Sequence, residues 1–156
     1  MKIRTILVPL DFSNESRRAL AAADALAVAQ NADLTLFHVH PIIEVAVMDF
    51  TYVQPPEKID EICEAIAARL RSWAGTLETA AERVHAQVVP GGPAPAICAA
   101  SAHHDLVVMA THGRTGVSHF LLGSVAERVV QGAECSVWVV KDGRRSAAKP
   151  NAEHKG

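Results

Sequence analysis

Apolar residues recur along this chain in two rhythms. Residues 3–10, 34–40 and 106–110 are short, nearly unbroken aliphatic and β-branched runs, the pattern of strands covered on both faces. Val84, Ala86 and Val88 alternate with His85 and Gln87 in a further strand, which Pro90-Gly91-Gly92-Pro93 stops, and residues 136–140 form the last. Helical spacing fills the intervals. Ser13 is placed to cap a helix whose body, residues 19–30, is rich in alanine, because its hydroxyl can accept an amide of the first turn. Pro56 opens a long helix in which Ile59, Ile62, Ile66, Leu70, Trp73 and Leu77 recur at steps of three and four, a stripe expected to face a sheet. A short alanine-rich helix runs to His103, and another spans 124–131.

Strand, helix, strand over residues 3–40 is connected in nearly all proteins as a parallel right-handed crossover. Five strands alternating with four helices predict an open five-stranded parallel sheet with helices on both faces, a Rossmann-like α/β domain with strand order 3-2-1-4-5. The most uniformly apolar run, 106–110, is placed at the sheet centre. Residues 41–56 show no clear period yet carry Ile42, Ile43, Val45, Val47, Met48, Phe50, Tyr52 and Val53. That stretch is either a lid or partner surface, or a satellite cluster beneath a long loop. The folded domain is expected over residues 1–141, followed by a disordered charged tail over 142–156.

Composition narrows the function classes. A chain of 156 residues with 49% hydrophobic and 21% charged content is an ordinary globular domain. A formal net charge of -2 offers no broad basic field, and 4% aromatics leave few stacking platforms, so nucleic acid is not an expected partner. Cys63, Cys98 and Cys135 are odd in number and lie among apolar neighbours, and read as reduced core thiols of a cytoplasmic protein. The longest stretch free of Asp, Glu, Lys and Arg, residues 84–104, is broken by prolines and glycines, so no membrane span is expected, and the first residues lack a secretory leader pattern.

In open parallel sheets ligands bind beyond the carboxyl ends of the strands, which directs attention to the loop after strand four. Gly113, Gly116 and Gly123 fall within eleven residues there, at a cost in chain entropy that a close backbone approach would explain. Ser124 and Glu127 have the spacing of a capping box at the start of the next helix. A helix start carries unpaired amides and partial positive charge, which suits a phosphate. On these residues alone the loop is either a phosphate cradle or a plain tight turn.

The spacing Ala110, Gly113, Gly123, Ser124 resembles the signature of the ATP-binding branch of the universal stress protein family, in which Gly, two residues, Gly, nine residues, Gly precede Ser or Thr. Residues 6–13 (Ile-Leu-Val-Pro-Leu-Asp-Phe-Ser), Phe37-His38-Val39 and residues 123–130 resemble that family's opening strand, second strand and closing helix. The departure is Ala110, which stands where the family pattern has its first glycine. The resemblance implies that Val39 and Asp11 meet adenine and its surroundings, that Pro9 shapes that wall, and that Met109 and Ala110 flank the ribose. It also implies that Gly113, Gly123, Ser124 and Val125 cradle phosphates with backbone amides and one hydroxyl. His112 and Arg114 either approach the phosphate tail or serve the turn and the solvent. ATP, with Mg2+ carried in by its phosphates, is the implied ligand. Family members pair two subunits through the last strand, which here makes Val137, Trp138 and Val139 the expected homodimer interface.

No Gly-x4-Gly-Lys-Ser/Thr run, no Gly-x-Gly-x-x-Gly after strand one and no Gly-x-Ser-x-Gly occurs. The histidines lack metal-ligand spacing. The expectation is a nucleotide-dependent switch or sensor of the stress response, at most a slow ATPase. The alternatives are a nucleotide-hydrolysing or adenylyl-transferring enzyme of related fold, and a nucleotide-free interaction module.

Overall fold

The computed structural model of the chain describes residues 2–42, 44–47, 50–111 and 122–141. The proposed tail lies outside them, as do His112, Gly113 and Arg114. Strands β1 (Thr5–Pro9), β2 (Asp33–His40), β5 (Val84–Pro90), β6 (Leu106–Ala110) and β7 (Ser136–Val140) form one parallel sheet in the order β5-β2-β1-β6-β7. Counting only these five, that is the expected 3-2-1-4-5. Helices α1 (Asn14–Gln30), α2 (Pro56–Ala74), α3 (Pro93–Ser101) and α4 (Ser124–Gly132) supply the crossovers, with one 3-10 turn at Ala81–Arg83.

Alternation across the pleat explains the unbroken apolar runs. Ile6 and Val8 of β1, Leu34 and Leu36 of β2, and Leu106 and Val108 of β6 pack on one face with Leu20, Ala23 and Ala27 of α1 and Leu70 of α2. Leu7, Phe37, Val39, Val107 and Met109 pack on the other with Ala94 and Ile97 of α3 and Ala126 and Val129 of α4. A strand between two helical layers is buried on both faces and so reads as a nearly continuous apolar run. All five residues of β6 are buried, but β1, not β6, holds the middle of the sheet. Burial on both faces marks an interior strand and does not rank interior strands.

Three further expectations change. Residues 41–55 contain an antiparallel hairpin, β3 (Glu44–Val47) and β4 (Phe50–Val53), with Val47 opposite Phe50. The apolar stripe of α2 is covered only toward its end. Leu70 is buried and Trp73 packs on the same core, whereas Ile59, Ile62 and Ile66 are half-buried and belong to neither cluster. Trp73 lies beside Arg17 in the first turn of α1, and the amides of Glu78 and Thr79 each lie 2.9 Å from the Asp24 carboxylate. The end of α2 and the turn after it therefore lie against α1. The three cysteines are unbonded, but half-buried rather than in the core.

Candidate functional site

The pairing of β1 and β6 is short. Only Ile6 with Leu106 and Leu7 with Val107 are in register, whereas β1 and β2 pair over five residues, as do β6 and β7. Pro9 gives a local reason. The Leu10 amide donates to Phe37 O of β2 at 2.8 Å, so the alternation of the strand puts Pro9's missing N–H on the β6 side. Beyond Leu7 the strands part, at the place where the direction of winding reverses. Such a switch point is where open α/β sheets form ligand crevices.

A cavity of about 250 Å³ lies there. Pro9, Leu10 and Asp11 form one wall, Phe37, His38 and Val39 a second, and Met109, Ala110 and Thr111 a third, closed by Pro93 and Ile97 of α3 and by residues 123–126. Its size is near the lower end for small-molecule sites. Of the residues named from sequence, Pro9, Asp11, Val39, Met109, Ala110, Gly123, Ser124 and Val125 all line this one cavity. Ser16, His38, Pro93, Ile97 and Thr111 were not anticipated as lining residues. His38 carried a signal, since it lies near the carboxyl end of β2. Ser16, Pro93 and Ile97 arrive from helices and carried none.

Asp11 is fixed in place. Its carboxylate accepts from the Ser13 amide at 3.0 Å and the Ser13 hydroxyl at 2.5 Å, while Ser13 caps α1 by accepting the Ser16 amide at 3.1 Å. His38, 9% exposed, has Nδ1 2.6 Å from Leu10 O. A carbonyl only accepts, so the proton of that bond sits on Nδ1. Between Asp11 and Ser13, Phe12 takes φ of 66°, a left-handed conformation that costs a bulky residue on the order of 1–2 kcal/mol.

The opposite end is made by the start of α4. Gly123 is the N-cap, with φ of -62° and ψ of 150°, and no side chain caps the helix. The expected capping box does not form, because Ser124 is already the first helical residue and the spacing to Glu127 is one turn position out of phase. The Gly123 amide is also engaged, donating to Thr111 O at 2.8 Å, so it is not one of the amides of a cradle. The first bond at the helix start runs from the Glu127 amide to Gly123 O at 2.9 Å. Among the described residues, that leaves the amides of Ser124, Val125 and Ala126 as the unpaired donors of the first turn, at the wall of the cavity. The described lining residues include no Lys or Arg, so positive potential on this side comes from the helix terminus.

The site is thus a crevice at the switch point of a parallel sheet, apolar on the side of Val39 and Met109 and donor-rich at a helix start. Residues 2–141 match the Universal stress protein family, and the chain belongs to it. It is 33% identical over 144 residues to universal stress protein MJ0531 of Methanocaldococcus jannaschii, covering 88% of this chain and 82% of that protein. It is 34% identical over 145 residues to YxiE of Bacillus subtilis, covering 87% and 97%. Among solved structures, UspA from Lactobacillus plantarum superposes with a TM-score of 0.68 at 21% identity, covering 90% and 99% of the two chains. A universal stress protein in complex with cAMP gives 0.65 at 22% identity, covering 90% and 98%. At these identities the structural matches establish the fold.

Proposed function

We propose that this universal stress protein belongs to the ATP-binding branch of the family, holds ATP in the crevice and acts as a nucleotide-dependent switch or sensor, with slow hydrolysis at most. The observation that carries the reading is that the three unpaired amides of Ser124, Val125 and Ala126 border the same cavity as Asp11, Val39 and Met109. Adenine lies against Val39 and the apolar wall, the ribose beside Met109 and Ala110, and the phosphates at the start of α4, where amides and the helix dipole favour negative charge. With no Lys or Arg on the described lining, Mg2+ bound by phosphate oxygens and water supplies the remaining neutralisation. The solved relative in complex with cAMP supports an adenine nucleotide as the ligand class.

Thermal unfolding with and without millimolar Mg-ATP tests this. A ligand bound only by the native state raises the melting temperature, by the equivalent of about 2.7 kcal/mol at a hundred times its Kd. No rise with ATP, AMP or cAMP, together with no nucleotide released on denaturing the fresh protein, overturns it.

The subunits pair through β7 in the same proposal. This strand is a sheet edge whose partner in the sheet is β6, and Trp138 on it is 42% exposed. Exposed apolar edges invite another chain. Light scattering at micromolar concentration is expected to give a dimer mass, and Trp138→Asp a monomer mass. Three unbonded cysteines fit a reducing, cytoplasmic setting. Among the described residues no helix is long and apolar enough to cross a membrane.

A further inference from the structure

Outside the cavity, on the α1 and α2 side, two arginines rest on two aromatic rings. The Arg69 guanidinium lies 4.0 Å from the centroid of Phe12, and that of Arg17 lies 4.3 Å from Trp73. The rings meet edge to face at 5.2 Å with planes 83° apart, and Phe12 also packs against His38 at 5.0 Å. Both arginines are exposed, and among the described residues neither has a carboxylate partner. By contrast, Arg71 on the same helix is paired with Glu64 at 2.7 Å.

A guanidinium stacked on a ring keeps its in-plane N–H donors for a carboxylate and is ordered before the partner arrives. Nothing in the described fold requires two cations to be ordered here. The turn that carries Phe12 holds it in a left-handed conformation, a strain that folded proteins retain where the surroundings or function impose it. The two cations lie over two adjoining rings, and an extended chain with successive acidic side chains supplies a separate carboxylate for each while the half-buried rings offer apolar contact between them.

We propose that the surface of Arg17, Trp73, Phe12 and Arg69 is a docking face for an acidic peptide segment of a partner protein. It is distinct from the nucleotide crevice, which it meets at the Phe12–His38 contact.

The test uses the full chain and fluorescein-labelled hexaglutamate, followed by anisotropy at low salt, with hexaglutamine as control. Hexaglutamate is expected to bind and hexaglutamine not to. Arg17→Gln with Arg69→Gln should weaken binding by about tenfold or more, whereas Arg71→Gln leaves it within about twofold. In a Trp138→Phe background the peptide should also change the emission of Trp73. Equal losses in the Arg71 variant and the double variant would reduce the effect to general surface charge and overturn the proposal. So would full displacement by millimolar inorganic phosphate, which would mark a small-anion site, or no hexaglutamate binding at all. Retained Mg-ATP affinity in the double variant separates this result from any failure of the nucleotide reading.

Discussion

At the amino edge of the sheet Asp105 accepts the amides of Arg4 at 2.7 Å and Thr5 at 3.1 Å, and both ring nitrogens of His104 are engaged, with Ala100 O at 2.8 Å and Thr35 Oγ1 at 3.1 Å. At the carboxyl edge β1 and β6 part after two residue pairs, and among the described residues the first amides of α4 are unpaired and His40 Nε2 and Gln54 Oε1 are buried without a hydrogen-bond partner. The same strands run through both ends. Buried polar groups are ordinarily satisfied within a fold, so the end that closes on itself is scaffold and the end that does not is where a ligand gains most. Pro9 and the glycine before α4 create the difference, since one removes a ladder donor and the other starts a helix with no side-chain cap.

The comparison breaks first if the scaffold is not as tightly tied as its hydrogen bonds indicate. Asp24, 8% exposed, accepts the amides of Glu78 and Thr79 and the Thr79 hydroxyl at 2.6 Å, locking α1 to the turn after α2. Asp24→Ala leaves those buried donors unsatisfied and is expected to cost about 2–3 kcal/mol in urea unfolding, without change in Mg-ATP affinity once folded. A loss within about 0.5 kcal/mol would show that the lock contributes little.

The open end is sharpened by Gly123→Val. The backbone angles of Gly123 suit any residue, so the backbone itself does not oppose a side chain there, at the cavity wall beside the α4 amides. The expected outcome is at least about a tenfold loss of Mg-ATP affinity, roughly 1.4 kcal/mol, with an unchanged melting temperature in the absence of nucleotide. Undiminished affinity by calorimetry would remove the phosphates from the start of α4.

Much of this contrast was legible in the sequence, and the exceptions have physical causes. The continuous runs in β1, β2 and β6 identified a parallel sheet because strands buried on both faces have no polar register to keep. The hairpin at 44–53 was missed because Val47 and Phe50 are separated by Met48-Asp49, which lacks the Asn-Gly type of signal that marks a tight turn. Eight of the candidate cavity residues could be named from the family resemblance, which rests on the spacing of Ala110, Gly123 and Ser124 and on the likeness of the first two strands and the closing helix. The engagement of the Gly123 amide could not, since it depends on Thr111, twelve positions earlier and brought alongside only by the fold. The spacing of Ser124 and Glu127 is the same whether the helix begins at one residue or the next, so the pattern predicted a cap that the backbone does not use.

The smallest expected effect, and the finest test of the closed end, is a dependence on acid. The amide of Arg4, then that of Thr5, donate to the Asp105 carboxylate and hold its pKa below the usual aspartate value. A carboxyl depressed in the folded state stabilises it fully above the unfolded pKa, about 3.9, and loses that contribution as pH falls through the lower, folded value. Wild type should therefore lose stability on acidification from pH 5 downward more steeply than Asp105→Asn, which keeps an acceptor but has no charge to titrate. The difference between the two in urea midpoint should be widest near neutrality and narrow toward pH 3. Parallel curves for the two proteins would mean that the amino edge is held by shape and backbone pairing alone, and that its contrast with the carboxyl edge owes nothing to this charge.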